Sequence, residues 1–154
     1  MKLLYATDSG QSYPEAAELA QLQLSAVGAK VSLDGQTVAA LQQTIFGSGD
    51  WDIMIVGIGV TTPAQFTSFV SGPTPPHGNN FTGVDNPVYK QAVARAIMRI
   101  GAAGCKYWLE GEAALFRAAD IAPLAVATTA TYGRRLTFHL GVYGVLPASL
   151  RLTT

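Results

Sequence analysis

The run Asp52-Ile53-Met54-Ile55-Val56-Gly57-Ile58 constrains the fold more than any other stretch of this chain. It is continuously apolar between a carboxylate and a glycine-rich exit. A half-solvated strand would alternate apolar and polar residues. An unbroken run suits a central strand covered by helices on both faces, as in a parallel sheet. The sequence before it supplies the partners. Leu3 to Ala6 reads as a short apolar strand. Ser12 then opens a helix as N-cap, with Glu15 completing a capping box and Pro14 tolerated in the first turn. Ala17, Ala20, Leu24 and Val27 form a stripe at helical spacing, and Gly28 stops the helix. Val31 and Leu33 alternate with polar neighbours like a half-buried strand. A second helix is expected from Val38 to Phe46, with Val38, Leu41 and Ile45 on one face and Gly47 and Gly49 at its end. The order β-α-β-α-β with short connections predicts a parallel sheet with right-handed crossovers. The strand from Leu3 is expected between the other two, in the order 2-1-3.

Beyond residue 60 the texture changes. Pro63 to Val70 fits a short helix, and Ser71 to Asp85, rich in Gly, Pro and Asn, reads as a long surface loop. Asn86-Pro87 opens a helix to about Ile100 carrying Val88, Ala92, Ile97 and Ile100. A further helix is expected from Lys106 to Ala119. Ile121 to Ala127 reads as an apolar strand, and Gly133-Arg134-Arg135 as a turn into a strand from Leu136 to Leu140. Gly141 to Thr154 has no strong periodicity.

At 154 residues the chain has the length of one domain, read as a single unit over 1–154, and can bury a core. Hydrophobic residues at 49% against 13% charged exclude a disordered tail. Ten basic and ten acidic residues are scattered without a Lys/Arg cluster, which argues against nucleic acid as a partner. The longest apolar run, Ile53 to Val60, is far too short to span a bilayer. No basic segment followed by an apolar one opens the chain, so no signal peptide is read there. A strand starting directly after Met1 reads as the beginning of a domain cut from a longer protein.

Catalytic chemistry is hard to assemble from these residues, and no catalytic residue is assigned. Cys105 is the only cysteine, so neither an internal disulfide nor a cysteine metal site can form. His77 and His139 have no second ligand at metal spacing and read as a loop residue and a strand residue; no metal or other cofactor is expected. Gly57 and Gly59 resemble the start of a dinucleotide fingerprint, but Thr62 stands where the third glycine belongs and Pro63 follows at once. Asp50 and Asp52 lie at the amino end of the apolar run and read as a solvated strand entrance. In open α/β sheets ligands bind at the opposite, carboxyl ends of the strands. The loops there are Thr7 to Gln11, Gly35 to Thr37 and Gly59 to Gln65. They carry Thr7, Asp8, Ser9, Thr61, Thr62 and Gln65, hydrogen-bonding groups without an acid–base pair.

Three stretches together resemble the family 5 extracytoplasmic solute-binding proteins of peptide and nickel transporters. Leu3-Leu4-Tyr5, the helix from Glu15 to Val27 and Gly28-Ala29-Lys30-Val31 are similar to that family's strand, helix and step into the next strand. Gly49-Asp50-Trp51-Asp52-Ile53-Met54 running into Gly57-Ile58-Gly59 resembles its strand leading to the ligand-facing loop. Glu112-Ala113-Ala114-Leu115-Phe116 with Ala119-Asp120-Ile121-Ala122-Pro123-Leu124 looks like its helix ending before a strand, and Asn86-Pro87-Val88-Tyr89 like its helix start. The resemblance implies a three-layer α/β lobe of a type II periplasmic-binding-protein fold, with C-terminal helices and additional strands. It covers the second lobe of a two-lobed protein, one wall of a cleft that holds a peptide or other solute for an ABC importer. The ligand-facing residues it implies are Gly59, Val60, Thr61, Thr62, Gln65 and Phe66. It further implies a permease partner and an extracytoplasmic location, with a lipid anchor on the parent. The chain departs from the family's peptide binders, which commonly carry a Trp after the first glycine of the ligand loop and, shortly after it, an Asp that pairs with a peptide's ammonium. Ile58 takes the Trp position, and Val60-Thr61-Thr62-Pro63 carries no carboxylate.

Two competitors remain from the residues alone. A flavodoxin-like nucleotide or flavin module would need two further parallel strands after residue 60. A small hydrolase would need a nucleophile–base pair.

Overall fold

The computed structural model describes residues 1–125, 131–141 and 144–153. Two compact units, Met1–Asp120 and Ile121–Thr154, are taken separately.

In the first unit, strand β1 (Lys2–Ala6) lies between β2 (Ser32–Gln36) and β3 (Ile53–Ile55), parallel to both. The sheet therefore has the expected order 2-1-3 and the expected mixed α/β class. Among the described residues no further strand joins this sheet, which the flavodoxin-like alternative required. The register pairs Leu3 with Leu33 and Ile53, and Tyr5 with Gly35 and Ile55. Leu3 and Leu4 are both fully buried, so the central strand is covered on both faces. Leu4 and Ala6 pack with Leu41 and Ile45, and Phe46, Trp51, Met54 and Phe81 close around them. The alternation of a strand turns Leu3 and Tyr5 to the other face, against helix α1 (Ser12–Ala26), where Ala17 is fully buried. Burying Leu3 and Leu4 stabilises the sheet by about 2 kcal/mol each.

The apolar run that signals the fold turns out to be an edge, not the centre. Only Ile53–Ile55 pair, all three half-buried, and Val56 is 43% exposed. The central position belongs to Leu3-Leu4. Other expectations shift in the same way. Helix α1 begins at Ser12 itself, with Gln11 at the cap and no side-chain capping bond. Ala17 is buried, and Ala20 and Leu24 are half-buried, but Val27 is 81% exposed past the end of the helix. Helix α2 (Val38–Gln43) runs into a π-helical turn, Thr44–Ser48, whose last bond closes from Gly49 N–H to the Thr44 carbonyl at 2.7 Å. Gly49 takes φ 64°, so the glycine stop is placed as expected.

Helix α3 (Pro63–Val70) matches its expected span. The segment from Ser71 to Asp85 has neither helix nor strand, yet it is pinned rather than merely superficial. Asn80 is buried, its amide donating to the Gly72 and Val84 carbonyls at 3.0 Å, while its oxygen accepts from Thr82 Oγ1 at 2.9 Å. Phe81 stacks edge-on against Phe46.

Helices α4 (Pro87–Ile97) and α5 (Cys105–Arg117) form a hairpin joined through a 3-10 turn, Gly101–Gly104. Asn86 caps α4, accepting from Val88 N–H at 3.1 Å and Tyr89 N–H at 3.0 Å. Its amide also donates to Asp120 Oδ2 at 2.9 Å and the Ala114 carbonyl at 3.3 Å, so one side chain ties the start of α4 to the end of α5. The buried face of α4 is Tyr89, Ala92 and Ala96, facing Gly111, Ala114 and Leu115. Of the expected stripe only Ala92 is inside; Val88, Ile97 and Ile100 are exposed. A Cβ at Gly111 would meet the Tyr89 ring at 3.1 Å, so the two helices approach across a missing side chain.

In the second unit, residues 121–125 carry no strand, and the rest of the strand expected to Ala127 lies outside the described residues. The expected strand from Leu136 to Leu140 is divided. Strand β4 (Leu136–Thr137) pairs antiparallel with β7 (Arg151–Leu152), and β5 (Leu140–Gly141) with β6 (Gly144–Val145). His139 sits between them, its N–H donating to Ser149 Oγ at 2.8 Å and its carbonyl accepting from Leu146 N–H at 2.9 Å. Strands β5 to β7 fall largely in a tail where the sequence showed no period.

Candidate functional site

Sheet polarity directs attention to the carboxyl ends of β1, β2 and β3. Of the hydrogen-bonding groups singled out there, Thr7, Asp8, Thr61, Thr62 and Gln65 have definite local partners, Thr7 through its backbone. Asp8 Oδ1 accepts from Val38 N–H at 2.9 Å, so its carboxylate sits at the amino end of α2, beside the Thr37 hydroxyl that accepts from Ala40 N–H at 3.3 Å. The positive end of the helix dipole makes that a favourable place for an acid. Thr7 N–H donates to the Gln36 carbonyl at 2.8 Å and continues the ladder past β1.

The loop after β3 is built around Gln65. Its Oε1 accepts from Thr61 N–H at 2.7 Å, from the Thr61 hydroxyl at 3.0 Å and from Thr62 N–H at 3.4 Å. Thr62 and Gln65 occupy the two positions of a capping box, with Pro63 at the first turn, where its missing N–H costs least. The box assigned from sequence to Ser12 and Glu15 thus forms at Thr62 and Gln65 instead. Gly59, Val60, Thr61, Thr62 and Gln65 are exposed and Phe66 is half-buried. Phe66 meets Phe69 edge-on, and Phe69 packs on Phe81, so an aromatic train runs from this loop toward the core.

Tyr13 joins this edge, and the sequence reading did not select it. Its hydroxyl lies against the Cα of Gly57, in the space a Cβ would fill. The signal was available: a glycine directly after an apolar strand marks a place where something approaches the backbone. The edge therefore presents a phenol from α1, the exposed Gly59–Thr62 loop and the Gln65 amide. Gln65 Nε2 has no protein partner among the described residues. From Val56 to Phe66 there is no carboxylate and no cation. This loop can hold a solute by shape and neutral hydrogen bonds; it holds no charge of its own to counter a buried ammonium, and Asp8 on the loop after β1 is already engaged with Val38 N–H.

The amino end of the sheet is different. Lys2 bridges Asp50, and Asp52 Oδ2 accepts from Lys2 N–H at 2.6 Å. The Asp50 hydrogen bond holds the Lys2 ammonium above its ordinary pKa. Both acids thus serve the strand entrance. A cavity of about 390 Å³ opens nearby, lined by Ile45, Trp51, Asp52, Thr74, Asn80 and Phe81 among others. It lies at the end of the sheet opposite to where α/β ligands bind, and Asn80, its buried polar group, is already fully bonded. It is the seam between the π-helical turn and the segment after α3. Among the described residues no three His, Cys, Asp or Glu groups converge to hold a metal. His77 is exposed in its loop. No helix among them is long and apolar enough to cross a membrane.

With this geometry in hand, the comparisons with known proteins narrow the choice. No family model matches the chain, and no curated protein matches it. A solved structure does. The chain is similar to a substrate binding protein from Microbacterium hydrocarbonoxydans, complexed with 4-hydroxybenzoate hydrazide, with a TM-score of 0.74 at 20% identity. The likeness covers 99% of this chain and 33% of that one, so the chain spans about a third of its neighbour's length. At that identity it establishes a shared fold: an α/β unit with a 2-1-3 parallel sheet, as found within a substrate-binding protein.

Proposed function

We propose that this chain is one lobe of a two-lobed solute-binding protein of the family 5 kind, and that it is a binding element without catalytic chemistry. The observation that carries the reading is the overlay of nearly the whole chain on one third of a substrate-binding protein. The motif order from Leu3 to Leu124 supports the finer assignment, and with it an extracytoplasmic location and delivery to an ABC permease.

The solute we propose is a small neutral molecule with an aromatic portion, rather than a peptide with a free amino terminus. The loop from Gly59 to Gln65 has hydrogen-bonding groups but no acid, and a buried ammonium without a countercharge is costly. Tyr13 and Phe66 supply aromatic surface beside it. The neighbour's bound hydrazide is a molecule of this description.

Native mass spectrometry of the full-length gene product, purified without refolding, tests the reading. The expected result is a co-purifying neutral aromatic solute, and titration of the isolated chain with it should give no measurable heat, because one wall of a cleft leaves half the ligand in water. Tight binding of unblocked short peptides by the full-length protein, lost on N-acetylation, would overturn the solute class. A full-length product no longer than this chain would overturn the lobe assignment.

A further inference from the structure

The tip of the α4–α5 hairpin carries two features that its fold does not use. The first is apolar. Ile97, Met98 and Ile100 are 62%, 81% and 98% exposed within four residues of chain. Single exposed aliphatics are ordinary, but three together at a helical turn form a patch without a partner in this unit.

The second is cationic. Arg95, Arg99 and Lys106 all lie over the Tyr107 ring, at 5.9, 4.2 and 4.8 Å from its centroid. Three like charges gathered on one ring repel each other. Glu110, 3.7 Å from Arg95, is the carboxylate that offsets them, and among the described residues neither Arg99 nor Lys106 has an ion pair. Arg95 and Arg99 are favoured by the carboxyl end of α4. Lys106 stands in the first turn of α5, where the helix dipole disfavours a cation. An external anion would relieve both penalties.

We infer that this tip docks on an anionic phospholipid surface, with Ile97, Met98 and Ile100 entering the headgroup–acyl boundary and Arg95, Arg99 and Lys106 meeting lipid phosphates. The pairing of the two features selects the partner. A polyanion such as nucleic acid would use the cations and leave the aliphatics in water. Protein hot spots favour Trp, Tyr and Arg over aliphatic anchors. Aliphatic residues ringed by Lys and Arg are the composition of an interfacial anchor. This inference is independent of the solute reading, since the tip shares no residue with the sheet edge.

Cys105, exposed at the start of α5 and the only cysteine, offers a reporter. The chain labelled there with an environment-sensitive fluorophore is titrated with phosphatidylglycerol–phosphatidylcholine vesicles and with phosphatidylcholine alone. Co-sedimentation of unlabelled chain is measured alongside. We expect a blue shift and sedimentation with the anionic vesicles only, weakening as salt rises. The pair Arg99→Glu and Lys106→Glu should weaken partitioning by about tenfold or more, since each cation near such a surface contributes severalfold. Ile97→Ser with Ile100→Ser should weaken it while leaving the salt dependence in place. All variants are checked for unchanged circular dichroism. No shift with either vesicle, equal binding to both, or unchanged binding by the folded charge-reversed variant would overturn the inference. Should a reversed pair fail to fold, the salt and lipid dependence of the parent chain decides alone.

Discussion

The carboxyl edge of the sheet and the tip of the α4–α5 hairpin are both exposed, and they are exposed in opposite ways. At the sheet edge the polar groups have been put to work on one another. Asp8 holds α2, Gln65 gathers Thr61 and Thr62, and the Tyr13 phenol rests on Gly57. At the tip the cations are crowded on Tyr107 and the aliphatics face water. An edge whose groups are held by internal hydrogen bonds is preorganised, and can receive a small neutral solute without paying to order itself. A tip with uncompensated charge and bare apolar area is complete only against something large and anionic. Accessibility therefore separates neither region from the other; what differs is how much of their bonding capacity is already used.

Five substitutions, one of them read by an alkaline titration, bear on that contrast. The largest effect is expected at the hairpin base. Leu115 is 1% exposed, and Leu115→Ala should cost about 3 kcal/mol in urea unfolding by loosening the base that holds the tip. Asn86→Ala removes a helix cap and takes from Asp120 Oδ2 the amide donor that ties α4 to the end of α5, at a cost of about 2 kcal/mol. If it costs no more than a surface change, the base is not fastened as described. Burial pushes the Tyr89 phenol above its ordinary pKa of 10.0. The unfolded chain therefore loses that proton first as pH rises. The contribution of Tyr89 is fully present below about pH 10 and is lost above it as the pH approaches the folded value. Lys2, also raised, acts in the same direction, so the Tyr89→Phe variant isolates the phenol: its alkaline loss of stability should be shallower.

The smaller effects discriminate best between the two surfaces. Gln65→Ala should destabilise by about 1 kcal/mol, because it strips the cap from helix α3. An unchanged melting temperature would mean that Gln65 is not committed internally and the edge is not preorganised. Ile100→Ser, at 98% exposure, should move stability by less than about 0.5 kcal/mol. A large loss would show that the tip is packed in solution, and the contrast would collapse.

Much of the first sixty residues was legible because their periods are simple. Leu3-Leu4, the Ala17-Ala20-Leu24 stripe and the Gly28 and Gly49 stops gave the parallel 2-1-3 sheet directly. The Asn86-Pro87 start was equally plain, since an amide before a proline has little other use. What misled was local pattern without tertiary context. Ser12-x-x-Glu15 and Thr62-x-x-Gln65 carry the same capping signature, and only the second closes. Hydrophobicity assigned Val88, Ile97 and Ile100 to the core of α4. The structure buries Tyr89, Ala92 and Ala96, because Gly111 lets α5 come close and small residues then fit best. The candidate site was legible as a place, from strand polarity. Gly57 signalled a close approach to the backbone but not its partner, because Tyr13 reaches it from α1 through a contact that no local spacing encodes.

Asn86 has one further consequence, in the chemical ageing of the protein. Spontaneous deamidation of an asparagine proceeds when the backbone nitrogen of the next residue attacks the side-chain amide to close a succinimide. Pro87 has no N–H to support that attack. Conversion to aspartate would replace the donor that faces Asp120 with a second carboxylate, setting two negative charges together at the base of the hairpin. The proline that starts α4 also shields the amide beside it from the slow reaction that would undo it.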